Sequence, residues 1–185
     1  YTTLFRSIIT AGRLVEQKGY DLLLDAWSKV HQKHPEWILD IYGEGEDKNM
    51  LLEKRKNLAL ENSVLFHPPT PDIYQKYMDS DFYVMSSRYE GFGLVLAEAM
   101  SCGIPCVSFD CPHGPSDIIK DHEDGLLVEK ENIKELADKI CYLIENENVR
   151  IKMGHKAREN VKRFLPENVM PQWKNLFESL TYSSK

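Results

Sequence analysis

The feature that most constrains the fold is a repeated alternation of short apolar segments with amphipathic stretches. Six segments, rich in β-branched and aromatic residues, predict strands: 7–11, 37–42, 63–66, 82–86, 105–109 and 125–128. Between them, apolar residues at helical spacing predict helices over 20–33, 47–57, 71–78 and 94–101. Because helices connect parallel strands, this pattern predicts an α/β fold, a doubly wound Rossmann-like parallel sheet with helices on both faces.

The pattern changes after Asn132, where three helical stretches follow one another over 133–144, 148–164 and 166–180. They predict a helical C-terminal appendage, 132–181, within a single domain that spans 1–185, and a frayed end over 182–185. Two boundary residues are also predicted. Gly103 should end the helix 94–101 as its C′ residue, and Pro71 should lie in the first turn of the helix 71–78.

Composition excludes several classes of function. The chain has 23 Lys and Arg against 29 Asp and Glu, a net charge of −6, which opposes a nucleic-acid partner. No apolar run approaches the roughly 18 residues of a membrane span. The four cysteines lack C-x-x-C spacing, so we expect reduced thiols in a cytoplasmic protein and no zinc site.

The first candidate motif, GRLVEQKG at 12–19, follows the first predicted strand and precedes the first predicted helix. Gly12 lets the backbone approach a ligand closely. Arg13 and Lys18 are two cations across a tight turn, which can be aimed at one anionic group. The order and spacing exclude a Walker A loop. The alternative is a surface turn with solvated cations.

The second motif, EGFG at 90–93, follows the strand 82–86 and opens the next helix. Free N–H groups at a helix N-terminus favour an anion or a sugar hydroxyl. Glu98 lies within that helix among apolar residues, where a carboxylate needs a partner. A ribose diol could supply two donors. The alternative is a partly exposed glutamate paired with a neighbouring side chain.

Other polar residues are weaker candidates. Asp79 and Asp81 form a D-x-D pair, typical of divalent-metal sites, but their position favours a turn before a strand, and we expect no metal. The segment 121–124 resembles a solvated turn. His67 lies at the carboxyl end of a strand, and His113 lies on a loop expected to face the ligand cleft.

The two motifs, together with GIPCV at 103–107, resemble the donor half of GT-B glycosyltransferases, in the large retaining family four (glycosyl transferases group 1). The resemblance covers nearly the whole chain. It implies that Arg13 and Lys18 contact the donor diphosphate and that Glu98 holds the ribose hydroxyls. It also implies that these side chains have ligand atoms, not protein atoms, as partners, so that replacing Lys18 or Glu98 leaves the domain folded.

The resemblance implies further contacts around the donor. Glu90 faces the donor sugar, together with the backbone of Gly91, Phe92, Gly93 and Leu94. The glycine loops near the nucleotide contain Gly12, Gly43 and Gly45, and the segment bordering the base contains Phe66 and His67. One departure is Pro68, where many relatives carry glycine. Because proline has no N–H, any contact to the base that this N–H makes in relatives is absent here.

The implied function is transfer of a sugar from a nucleotide-sugar, most commonly a UDP-sugar in this family, to a glycan or lipid-linked acceptor with retention. It requires no metal or other cofactor and is typical of capsule, lipopolysaccharide or other polysaccharide biosynthesis. The acceptor would bind to an N-terminal domain absent from this chain, which alone should be inactive. The complete enzyme could associate peripherally with the inner membrane face. Two alternatives remain open: a nucleotide-sugar epimerase of GT-B architecture and a non-catalytic nucleotide-sugar-binding module.

Overall fold

A computed structural model describes residues 6–182 of the chain. The strands are β1 (Ser7–Ala11), β2 (Ile38–Tyr42), β3 (Val64–His67), β4 (Phe82–Met85), β5 (Cys106–Asp110) and β6 (Gly125–Glu129). The helices are α1 (Tyr20–Lys33), α2 (Lys48–Asn57), α3 (Ile73–Met78), α4 (Leu94–Ser101), α5 (Pro115–Ile118), α6 (Ile133–Glu145), α7 (Glu147–Asn160) and α8 (Pro166–Tyr182).

The six strands form one parallel sheet in the order β3-β2-β1-β4-β5-β6. The chain winds outward from β1 to β3, then returns past β1 to β4. Ile8 is therefore in register with both Leu39 on β2 and Phe82 on β4. The predicted doubly wound fold is confirmed. Such a sheet binds ligands beyond the carboxyl ends of its strands, where the direction of winding changes.

Side chains alternate between the two faces of the sheet along each strand. Both faces carry apolar side chains, and helices cover both. Ile8 and Leu39 pack with Trp27 of α1 in one apolar cluster, which also contains residues of α2 and α6. Ile9 packs on the other face with Leu96 of α4 and with residues of α3 and α7. All four residues of β4 are buried, as expected of a central strand covered on both sides.

Most predicted boundaries differ from the structure by one or two residues. Gly103 has a φ of 81° directly after the α4 cap, which confirms its predicted place. The place predicted for Pro71 is wrong, because Asp72 is the N-cap of α3 and its N–H donates to Thr70 Oγ1. The sequence did not predict α5 or the 3₁₀ turn Glu16–Lys18. The predicted helix 148–164 divides into α7 and the 3₁₀ turn Val161–Phe164.

The C-terminal helices differ in how they are attached. α6 packs against α1, and Arg150 of α7 forms an ion pair with Asp81 at 2.9 Å. α8 exposes large apolar side chains: Met170, Trp173, Leu176, Phe177 and Leu180. Tyr182, predicted to fray, is the last residue of α8, and residues 183–185 lie outside the described residues. Among residues 6–182, no helix combines the length and the apolar composition that crossing a bilayer requires.

Candidate active site

A cleft of about 310 Å³ opens at the carboxyl ends of β1 and β2, beside the point where the winding reverses. Four predicted site residues line it: Gly12, Arg13, Gly43 and Glu98. The remaining wall comes from residues that the sequence analysis did not single out: Ala11, Tyr42, Glu44, Pro69, Thr70, Ile73, Tyr77 and Val95. The cleft therefore combines one cation and one carboxylate of the two motifs with a largely apolar wall.

The floor of the cleft is formed by two loops in close contact. The Gly12 N–H donates to the Tyr42 carbonyl at 3.0 Å, and a Cβ on Gly43 would collide with the Gly12 carbonyl oxygen. A Cβ on Gly45 would collide in the same way with the Leu14 carbonyl. Gly43 lines the cleft, whereas Gly45 holds the loops together behind it. Both glycines thus fit a requirement for close backbone approach.

Arg13 and Lys18 lie in different environments. Arg13 is exposed at the cleft, and its guanidinium has no hydrogen bond or ion pair with any residue from 6 to 182. Lys18 Nζ lies 2.6 Å from Glu90 Oε1, and the two side chains are only 15% and 9% exposed. Ser87 Oγ donates to the same Glu90 oxygen at 2.6 Å. The expectation that Lys18 has only ligand atoms as partners is wrong, because the two motifs are joined by this ion pair.

Further hydrogen bonds join the turn Glu16–Lys18 to the end of β4. The Arg88 guanidinium donates to both carboxylate oxygens of Asp21, at 2.8 and 2.7 Å, and to the Glu16 carbonyl at 2.8 Å. Ser86 Oγ donates to the Lys18 carbonyl at 3.0 Å. Burial opposes ionisation of Asp21, but the hydrogen bonds and charge of Arg88 outweigh it and lower the pKa of Asp21. The turn that contains Lys18 is therefore held by Ser86 and Arg88, while the Lys18 ammonium group is held by Glu90.

Glu98 has no such partner. Its carboxylate is half-buried at the cleft and makes no hydrogen bond or ion pair with the side chains of residues 6–181. Burial raises the pKa of Glu98, because a low-dielectric environment disfavours the charged form. Its charge is in turn the main cause that raises the pKa of Tyr74. The alternative of a glutamate paired with a neighbouring side chain does not describe this residue.

The Gly91–Leu94 segment offers main-chain groups to a ligand. Gly91, Phe92 and Leu94 are exposed, and Gly93 is the N-cap of α4 with a φ of 85°. None of the four lines the cleft described above. The Phe92 ring contacts Phe164 edge to face, with centroids 5.5 Å apart. The N–H groups of Leu94 and Val95 donate to no acceptor in the described part of the chain, so they stay available at the start of the helix.

Phe66 and His67 occupy opposite faces of β3. The Phe66 ring packs with the apolar cluster beneath α1 and lies 5.7 Å from the Arg55 guanidinium carbon, so it does not reach the cleft. His67 stacks on Tyr42 with ring centroids 4.5 Å apart, and its Nε2 lies 2.6 Å from Asp40 Oδ1. His67 thus touches the cleft wall only through Tyr42.

Comparison with known proteins identifies the family. Residues 5–160 match the family described as Glycosyl transferases group 1. The chain belongs to this family. It is 37% identical over 169 residues to the amylovoran biosynthesis glycosyltransferase AmsD of Erwinia amylovora, covering 91% of this chain and 47% of that one. It is also 37% identical over 168 residues to a poly(ribitol-phosphate) α-N-acetylglucosaminyltransferase of Staphylococcus aureus, covering 90% of this chain and 34% of that one.

The fold agrees with solved relatives. The crystal structure of an S. aureus TarM variant, in complex with fondaparinux, α-GlcNAc-glycerol and UDP, superposes with a TM-score of 0.89 at 35% identity. The match covers 93% of this chain and 35% of TarM. The present chain thus spans about half or less of the length of these relatives, and its Rossmann-like sheet is that of a GT-B glycosyltransferase.

The weaker candidates of the sequence analysis have mainly structural contacts. Asp79 accepts a hydrogen bond from Gln75 at 2.9 Å, whereas Asp81 binds Arg150 and the Ser7 N–H. Asp81 precedes β4 at the amino ends of the strands, away from the cleft, which supports its prediction as a strand-entry residue. The loop of His113 packs against the main chain of Phe92, since a Cβ on Gly114 would collide there.

The prediction of a solvated turn over 121–124 is wrong for Asp124. This residue is fully buried. Its carboxylate accepts hydrogen bonds from the Lys120 N–H at 2.8 Å and from Asn160 Nδ2 at 2.9 Å. It therefore connects the turn before β6 to α7.

Two signals could have found the missed cleft residues. Ile73 and Tyr77 are four residues apart, which places them on one face of α3. Tyr42 is the last residue of β2, at the carboxyl end where ligands bind in doubly wound sheets. Neither signal separates a ligand contact from core packing, which is why sequence alone did not assign them.

Proposed function

We propose that this chain binds the nucleotide-sugar donor of a retaining glycosyltransferase, and a UDP-sugar in particular. The observation that carries the proposal is the Glu98 carboxylate, which faces the cleft without a protein partner among the described residues. A ribose diol supplies the donors that such a carboxylate needs. Arg13, whose guanidinium has no partner in the described part of the chain, lies at the same cleft and is available for the diphosphate. The choice of UDP is supported by the presence of UDP in the TarM structure.

The proposed catalytic principle is stabilisation of the leaving group without metal. Breaking the anomeric C–O bond places negative charge on the nucleoside diphosphate. Arg13, Lys18 and the N–H groups of Leu94 and Val95 would stabilise that charge. Lys18 can do so while paired, because an ammonium group has three N–H donors and Glu90 takes one of them.

Glu90 is proposed as a sugar contact and a support for Lys18, not as a nucleophile. Its Oε1 accepts two short hydrogen bonds, from Lys18 and Ser87, which stabilise the carboxylate charge that an attacking group would have to share. In the proposed step, the acceptor oxygen bonds to the anomeric carbon on the face from which the diphosphate leaves. The departing phosphate oxygen takes the acceptor proton, and the configuration is retained.

The acceptor and a second domain are also proposals. The chain covers only 47% and 34% of the two relatives described above, which leaves room for an N-terminal acceptor domain. The exposed apolar side chains of α8 supply a surface that such a domain could cover. The names of these relatives, which mention amylovoran biosynthesis and poly(ribitol-phosphate), support a polymeric acceptor and a role in polysaccharide biosynthesis. A lipid-linked acceptor and a place at the cytoplasmic side of the membrane are proposed from the family resemblance alone. Family membership favours transfer over the epimerase alternative.

The stereochemistry is tested on the complete enzyme. It would be incubated with a panel of UDP-, GDP- and ADP-α-sugars in the absence of acceptor, and the first sugar released by hydrolysis would be observed by proton NMR before mutarotation. The proposal expects a UDP-sugar to be consumed and the α-anomer to appear first. Initial release of the β-anomer would overturn retention, and consumption of only non-uridine donors would overturn the choice of UDP.

A further inference from the structure

We propose that Tyr42 is the aromatic platform on which the nucleobase of the donor stacks, and that His67 and Asp40 are positioning residues that hold its ring. The inference rests on the proposed function, because it assigns a part of the same cleft. It replaces the expectation that Phe66 borders the base. Tyr42 also stands outside both sequence motifs.

The position of Tyr42 follows from the sheet. It is the last residue of β2, and it lines the cleft together with Pro69 and Ile73. These apolar side chains form a wall suited to the flat, weakly polar faces of a nucleobase. Glu98 and Arg13, the groups suited to a ribose and a diphosphate, line the same cleft. If the ribose binds at Glu98 and the phosphates at Arg13, the base must bind elsewhere in the cleft. The apolar wall is the part of the cleft whose chemistry matches a base.

The Tyr42 ring is held from behind. The His67 imidazole lies parallel to it, with an interplanar angle of 17° and a centroid distance of 4.5 Å. Asp40, two residues before Tyr42, lies on the same face of β2 and fixes the imidazole through the 2.6 Å contact with His67 Nε2. Gly43 N–H donates to the His67 carbonyl at 3.0 Å, which joins the two strand ends next to the ring. A ring fixed in this way is preorganised, so stacking on it requires little additional ordering.

The surrounding main chain also favours stacking. Pro68 and Pro69 follow β3 and have no N–H to donate to the edge of a base. The Gly43 N–H is already used. Because these three positions offer no free N–H to the edge of the base, contact with the face of the base gains importance in its recognition.

The test compares four variants of the 185-residue chain: Tyr42→Ala, Tyr42→Phe, His67→Ala and Phe66→Leu. Affinity for UDP and for inorganic pyrophosphate would be measured by ligand-observed NMR titration. Because base–aromatic stacking is worth about 1–3 kcal/mol, Tyr42→Ala should weaken UDP binding about 5- to 150-fold. Pyrophosphate binding should stay unchanged, since its proposed contacts do not include the ring. Tyr42→Phe keeps the ring and should bind UDP like the wild type.

The other two variants separate positioning from structure. His67→Ala removes an aromatic pair worth about 0.5–1.5 kcal/mol, so UDP affinity should fall about 2- to 10-fold with pyrophosphate unaffected. Phe66→Leu should bind both ligands like the wild type. Unchanged UDP binding by Tyr42→Ala would overturn the platform, as would a loss confined to Phe66→Leu. An equal loss of UDP and pyrophosphate in Tyr42→Ala would show a structural role instead. If the wild-type chain bound no UDP at all, the proposed function itself would fail.

Discussion

Replacing Lys18 by alanine tests whether the ion pair between the two motifs supports the fold as well as the chemistry. The substitution leaves the Glu90 carboxylate, 9% exposed, with Ser87 as its remaining side-chain partner. Removing one partner of a fully buried pair costs about 3–5 kcal/mol. The residual exposure and the Ser87 hydrogen bond reduce this cost, so we expect the free energy of unfolding to fall by about 1–3 kcal/mol.

Urea unfolding at pH 7, followed by far-UV circular dichroism, measures this difference. The matched control is Lys48→Ala. Lys48 and its partner Glu44 are both exposed, so their ion pair should contribute at most about 0.5 kcal/mol to stability. The double variant Lys18→Met/Glu90→Gln removes both charges and should recover part of the loss, because no unpaired charge remains. A structural role of the ion pair is refuted if Lys18→Ala is no less stable than Lys48→Ala, or if the double variant is less stable than Lys18→Ala. Lys18→Ala in the complete enzyme should also lower turnover on the order of 10²–10³-fold, measured well below its unfolding temperature.

Three further predictions concern other parts of the chain. Glu98→Gln should weaken UDP binding about 10- to 150-fold, because a charged acceptor is lost. The folded-state pKa of Glu98 is raised, so its ionisation lowers the stability of the wild type as pH rises from about 4.5 through that pKa. Above this pH window the urea midpoint of Glu98→Gln should therefore be higher than that of the wild type, and a lower midpoint would contradict this role of burial. EDTA and Asp79→Ala should leave UDP affinity unchanged in calorimetry, and chelation-sensitive binding would restore the metal hypothesis. Asp81→Ala, in contrast, should lower the urea midpoint, because Arg150 loses its carboxylate partner. Trp173 is 51% exposed, while the other two tryptophans are buried. Acrylamide should therefore quench Trp173 fluorescence strongly in this chain, and less in the complete enzyme if a second domain covers α8. Equal quenching of Trp173 in both would oppose that contact.

The fold was predictable because its determinants are local. Period-two and period-3.6 apolar patterns specify the strands and helices, and the direction of winding places glycine loops at the carboxyl ends. The turn Glu16–Lys18 was not predictable in this way, since it is held by Arg88 and Ser86, about 70 residues away in sequence. Contacts at that separation depend on the register of the sheet, which a single sequence does not show.

The candidate site was predictable where residue type alone restricts the chemistry. A carboxylate in an apolar stripe, Glu98, and a cation beside a glycine, Arg13, both line the cleft. The partner of Lys18 was missed because two oppositely charged residues in separate motifs give no sign of their distance. Phe66 does not line the cleft, and the reason is different. Alternation along β3 places it on the face opposite His67, but which face bears the cleft is decided by packing of helices on the sheet.

The most direct test of the central claim is calorimetric titration of this chain with UDP. We expect specific binding with a Kd of roughly 0.1–1 mM, about −4 to −5.5 kcal/mol, since half of the cleft wall would belong to the proposed N-terminal domain. GDP and ADP serve as comparisons for the base. Absence of binding by any nucleoside diphosphate at several millimolar, with a chain that circular dichroism shows to be folded, would contradict the account.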